Sequence, residues 1–127
     1  MRVLKYIERC VGASHDGPAW IAHVESSRSG RTIYFDGRAL RVATSAGGVG
    51  NHVDSETGEP FWVSGVKKSG SNRHWAGCGP ILVEASAVDA LLQRTGRTTL
   101  DTSRFRVIPD LPVTEPRDFV ERMNAKA

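Results

Sequence analysis

In the stretch FWVSGVKKSGSNRHW, residues 61–75, an apolar run gives way to Lys67, Lys68, Arg73, His74 and Trp75. Cations beside an aromatic ring can hold a phosphate and stack a base, the combination that single-strand binders use. These five residues are therefore the candidate contact to nucleic acid or to another phosphate-bearing partner. Alternatively, they form a charged hairpin tip that keeps the protein in solution while Trp62 and Trp75 fill the core.

Two weaker constellations lie elsewhere. His15, Asp16, His52 and Asp54 sit in the two most irregular stretches, and imidazole and carboxylate together suit a divalent ion. Neither pair has a recognised ligand spacing, so loop capping at His15-Asp16 and turn chemistry at Asn51-His52 compete with a metal site. Cys78, flanked by Gly77 and Gly79 and close after His74, has the setting of a nucleophile, but a glycine-bordered cysteine equally serves as a small buried residue. There is no P-loop, G-x-S-x-G, H-E-x-x-H or dinucleotide fingerprint. No catalytic residue and no cofactor is assigned.

The elements that must position these residues are mostly short strands. At 127 residues the chain is near the commonest size for one domain. Its 13 glycines imply many turns. Residues 1–9 read as a strand whose buried face is undecided, with Leu4 and Tyr6 opposite Val3, Lys5 and Ile7. A loop follows at 12–18. In AWIAHVE, Trp20, Ala22 and Val24 share one face, and RTIYF and RALRV continue a meander from about 19 to 43. Asp36-Gly37 marks a two-residue type I′ turn between the last two strands. Residues 44–60 read as the longest irregular connection, FWVSGV as a buried strand, KKSGSNR as a hairpin loop and ILVE as another strand.

One segment reads as a helix: in SAVDALLQRTG, Val88, Leu91 and Leu92 share a face, with Ser86 as N-cap and Gly96 just past the end. RFRVIP reads as an edge strand stopped by Pro109, and the tail 113–127, with Phe119, Val120 and Met123 at helical spacing, as a docking helix beyond a β-rich domain of residues 1–112. The expected fold is mainly β: a small bent antiparallel sheet or partly open barrel of the SH3 or OB kind, with one helix at about 86–95 packed on it.

The run TIYFDGRAL followed by NHVDSETGEPFWVSGVKKSGSNRHW resembles a group of short bacterial proteins of no established activity. In that group T-I-Y-[YF]-x-G-[KR] precedes E-T-G-E-x-[YF]-W-[IV]-S-G-x-K-K-x-G, a match spanning roughly residues 31–75. Some of its members carry the name of a thiamine-diphosphate-dependent synthase, but the Gly-Asp-Gly motif of such an enzyme is absent here. The resemblance implies a bacterial origin and supplies no catalytic residues.

Two cysteines and no C-x-x-C pair point to a reducing cytoplasm, and neither an export leader nor a membrane span is expected. Net charge is +3, and residues 61–108 hold seven Lys/Arg against three Asp/Glu, whereas DSETGE at 54–59 holds three acids. A binding module for a phosphate-bearing partner, nucleic acid first, is the leading expectation. A protein-interaction module (adaptor, antitoxin or immunity type) using the acidic segment and the edge strand is the second, and a small metal- or cysteine-dependent enzyme the third. Oligomeric state is left open.

Overall fold

The computed structural model describes residues 2–10, 17–43, 50–68, 80–117 and 119. Six strands form a barrel: β1 (Arg2–Arg9), β2 (Ala19–Ser26), β3 (Thr32–Phe35), β4 (Arg38–Val42), β5 (His52–Asp54) and β6 (Pro60–Ser64). Each pairs antiparallel with its neighbours in the order β1-β6-β5-β4-β3-β2, and β1 pairs with β2 from Arg2↔Glu25 to Glu8↔Ala19 to close the ring. The small bent barrel is thus closed rather than partly open. Closure removes the edges that six short strands would otherwise expose.

Strand β2 forks. Its C-terminal residues Glu25 and Ser26 pair with β3, while Trp20 and Ile21 pair in parallel with β7 (Ile81–Glu84). On β7 lies β8 (Phe105–Ile108), also parallel and last in the sheet order, the edge position that its alternating arginines suggest. Between β7 and β8 run a 3-10 turn (Ala85–Ala87) and the helix α1 (Val88–Thr95), a right-sized crossover for a parallel pair.

This fork explains why no buried face of β1 is evident from its sequence: both faces are buried. Alternate side chains of β1 and β2 feed two apolar clusters. Ile7, Ala22 and Val24 join Ile33, Phe35, Leu40, Phe61 and Val63 inside the barrel. Tyr6, Ala19 and Ile21 join Val66, Ile81, Val83, Ala87 and Leu91 under the helix. Strands buried on both sides lose the apolar-polar alternation that would mark one face as inner.

Turn chemistry matches the residues. Asp36 (φ 49°) and Gly37 (φ 76°) both adopt the left-handed region, as a type I′ turn requires. Gly96 ends α1 at φ 69°, and the Arg97 N–H reaches back to the Leu92 carbonyl at 3.0 Å. This is a Schellman-type stop. The start of the helix differs from expectation. Ser86 does not cap it: the helix proper begins after Ala87 with no side-chain cap, and the Ser86 N–H donates to Asp110 at 2.9 Å instead.

A second difference concerns residues 44–60, of which 44–49 lie outside the described residues. The remainder is not irregular, because β5 and β6 form a hairpin there. Asp54 organises its turn, as Asx side chains commonly do. Its Oδ1 accepts from the N–H groups of Glu56 (2.8 Å) and Thr57 (3.3 Å), and Gly58, at φ 76°, donates to the Asp54 carbonyl. Upstream, the Asn51 side chain imitates a strand backbone, donating to the Val63 carbonyl and accepting from its N–H, both at 2.8 Å.

Beyond β8 the chain crosses back over the barrel. Leu111 N–H donates to Glu84 Oε2 and Gly37 N–H donates to Thr114 Oγ1, both at 2.7 Å. Pro116, Arg117 and Phe119 have helical backbone, and the Phe119 ring lies 5.6 Å from that of Tyr34. No described helix is long and apolar enough to cross a membrane.

Candidate functional site

The stretch that begins at Phe61 leaves the barrel at Ser64 and turns toward the helix. Val66 is buried in the cluster beneath α1, and its carbonyl accepts from Arg94 Nε at 3.0 Å. That anchor fixes where the following lysines emerge. Lys67 and Lys68 are exposed. Arg73, His74, Trp75 and Cys78 lie outside the described residues, as do His15 and Asp16.

Lys68 borders a cleft of about 180 Å³ between the C-terminal half of α1 and the loop leading to β8. Arg97 and Arg104 line the same cleft, and Leu91, Leu92, Leu100 and Phe105 give it an apolar floor. Leu100 and Phe105 also border a neighbouring, more open hollow lined by Arg106. Four cations thus surround one continuous apolar surface. None of the ion pairs seen among the described residues uses Lys68, Arg97, Arg104 or Arg106.

The loop that presents Arg97 and Arg104 is built around Asp101. Its Oδ1 accepts from Ser103 N–H at 3.0 Å and from Ser103 Oγ at 2.5 Å, and its carbonyl accepts from the N–H groups of Arg104 and Phe105. The Ser103 hydrogen bonds, helped by the charges of Arg104 and Arg97, hold the Asp101 carboxyl below the usual range. Among the described residues that line the cleft Asp101 is the one acid, and it is already turned to loop construction.

The second constellation is structural where it can be seen. Asp54 Oδ2 accepts from Arg38 Nη1 at 2.6 Å, and Arg38 also reaches Glu59, which pairs with Arg9 at 2.6 Å. Burial alone would raise the Asp54 carboxyl, but the Glu56 N–H, Arg38 and the Thr57 N–H together bring it below its ordinary value. His52 Nδ1 lies 2.8 Å from Asn51 Oδ1, and burial, with Lys5 nearby, lowers its pKa. No group of three metal-ligating side chains occurs among the described residues. Asp54 and Glu59 of the acidic segment therefore already have cationic partners.

One core assignment also changes. Trp62 does not fill the core: it points outward from β6 at 39% exposure, while its neighbours Phe61 and Val63 take the inward positions. Strand alternation leaves it no other side. Cys10 is buried, and burial together with the nearby Glu8 carboxylate pushes its thiol up to about 11, which favours the protonated thiol over the nucleophilic thiolate. Glu8 is itself buried and accepts from the Tyr6 hydroxyl at 2.7 Å.

The sequence does not single out Arg97 and Arg104. The basic bias of residues 61–108 points toward them, but only the fold brings the end of α1 and the start of β8 beside Lys68.

Together these features define a small closed β-barrel of the SH3/OB-like kind, with a parallel α/β flank that carries a basic, apolar-floored cleft. Such a fold hosts many functions, so the cleft and not the barrel bears on activity. No family model, no curated protein and no solved structure matches the chain.

Proposed function

We propose that the protein is a non-catalytic binding module that engages a phosphate-bearing partner, most readily nucleic acid, through the basic face around Lys67, Lys68, Arg97, Arg104 and Arg106. The observation that carries this is the convergence of Lys68, Arg97 and Arg104 on one cleft, where the Asp101 carboxylate, already bonded to Ser103, offsets only part of their charge and no salt bridge within 4 Å to any of the three occurs among the described residues. Clustering cations at one place costs electrostatic free energy unless a polyanion relieves it, and arginine forks match phosphate oxygens in pairs. The presence of a lysine and two arginines on separate segments also suits a backbone that passes across the cleft rather than a single ion.

Salt dependence tests the proposal. Three phosphate contacts should weaken binding about 20-fold for a single strand, and about 40-fold for a duplex, between 50 and 200 mM salt. Fluorescence anisotropy with labelled DNA and RNA should show that slope, and Lys68→Ala/Arg97→Ala/Arg104→Ala should flatten it and abolish most of the affinity. Folded protein that binds neither nucleic acid at 50 mM salt would overturn the proposal and turn attention to a protein partner at the outer edge of β8.

A further inference from the structure

We infer that the cleft between α1 and β8 is a pocket for one unpaired nucleobase, so that the protein selects single strands over duplexes. This inference rests on the proposed nucleic-acid binding and deepens it. A surface that only reads phosphates needs cations and backbone N–H groups, and nothing apolar between them. Here the cations stand around a floor made of Leu91, Leu92, Leu100 and Phe105.

Size narrows the occupant. The cleft encloses about 180 Å³. Pockets for drug-sized ligands begin at roughly 300 Å³, so the recess beside Leu91 and Leu92 suits a single flat ring system, while the more open hollow that continues from Leu100 and Phe105 past Arg106 leaves room for the strand on either side of it. Phe105 is half-buried, so a ring face or edge is available beside the aliphatic floor. Every base has an apolar face that can pack on such a surface. The charges then fall in the right place: with a base in the cleft, its flanking phosphates lie over the rim, where Lys68, Arg97 and Arg104 stand. In a duplex each base is paired and stacked, and drawing one out costs several kcal/mol as an order of magnitude. Loss of that free energy disfavours the duplex despite its higher charge density.

An abasic strand separates the pocket from the phosphate surface, because it keeps every phosphate and lacks every base. Affinities of a twelve-nucleotide DNA strand, the abasic strand of equal length and the matching duplex should be compared at one salt concentration. The intact strand should bind about tenfold or more tightly than the abasic strand, and more tightly than the duplex. In Leu92→Ala/Leu100→Ala, with folding checked by circular dichroism, the advantage of the intact strand should shrink to about twofold while the salt slope stays unchanged.

If the abasic strand or the duplex binds as tightly as the intact strand, the base pocket is overturned and the phosphate surface stands. A folded double variant that keeps the full preference for bases also overturns it, since the bases would then stack elsewhere. Absence of binding to all three overturns both inferences. The abasic and duplex comparisons need no variant, so they decide the matter even where the double variant does not fold.

Discussion

Among the described glycines for which a side chain can be compared, Gly50 is the one that a neighbouring backbone crowds. It sits at φ 101°, and a Cβ built there would lie 2.7 Å from the Phe61 carbonyl oxygen. Side chains rarely adopt that conformation. The same carbonyl accepts the Asn51 N–H at 2.9 Å, so the backbone cannot retreat without losing a hydrogen bond. Gly58 supplies the internal comparison: its φ is 76°, yet nothing lies within 4 Å of its would-be Cβ. Gly50→Ala should therefore cost more than Gly58→Ala, roughly 1–3 kcal/mol, seen as a Tm lowered by several degrees. Equal losses in thermal melts would show that conformation alone matters and that the close approach to β6 does not. The Arg38 guanidinium belongs to the same scale. It stands 5.3 Å from the centre of the Phe61 ring and bonds Asp54 and Glu59, which ties β4 to the β5-β6 hairpin through one side chain.

Among the elements, the strap after β8 has the clearest pH dependence. Glu84 ends β7 almost fully buried; burial raises its pKa, the Leu111 N–H opposes that, and the Asp110 charge adds to the rise. A carboxyl whose folded pKa is raised stabilises the fold while protonated, and that contribution is lost as pH rises through the folded value. Glu84→Gln keeps an acceptor for Leu111 and cannot ionise. It should make the protein more stable than wild type at pH 7, with the gain fading as pH falls toward about 4, the ordinary carboxylate range. Urea unfolding at pH 4 and pH 7 measures this, and a variant weaker than wild type at pH 7 would show that the ionised form is the one the strap requires. Elements like β2, β3 and β4 are legible in the sequence because turn residues and β-branched runs mark them. Others are not, for reasons that are tertiary. β5 has three residues and depends on Asn51 bridging to Val63, the helix start depends on Asp110 holding Ser86, and neither partner is near in sequence. Likewise Lys68 is legible as a candidate contact, whereas Arg97 and Arg104 gain meaning only from the crossover that folds α1 against β6's exit.

For the whole molecule, the two apolar clusters share a wall. Tyr6 and Ile7 are neighbours in β1 with no exposed surface, yet they serve different clusters, and Ile21 and Ala22 do the same in β2. Neither cluster can come apart while β1 and β2 stay intact with half their side chains bared to water, since each fully buried aliphatic side chain contributes about 1.5–3 kcal/mol by burial. The helix and β8 flank is therefore not a separable appendage, and the barrel and the cleft should unfold together. Leu91→Ala beneath the helix and Leu40→Ala inside the barrel should each cost about 2–5 kcal/mol. Each should also leave a single transition whose calorimetric and van't Hoff enthalpies agree. Calorimetry of both variants provides the check. A second, earlier transition in Leu91→Ala would mean that the flank melts alone, and the cleft would then be built on an element that opens independently of the barrel. A single transition in both would mean that the lysine from the end of β6 and the arginines around α1 and β8 are held in register by the most stable part of the fold, the shared wall. On that basis the positions of Lys68, Arg97 and Arg104 are set before any ligand arrives, and binding need not supply the free energy to assemble them.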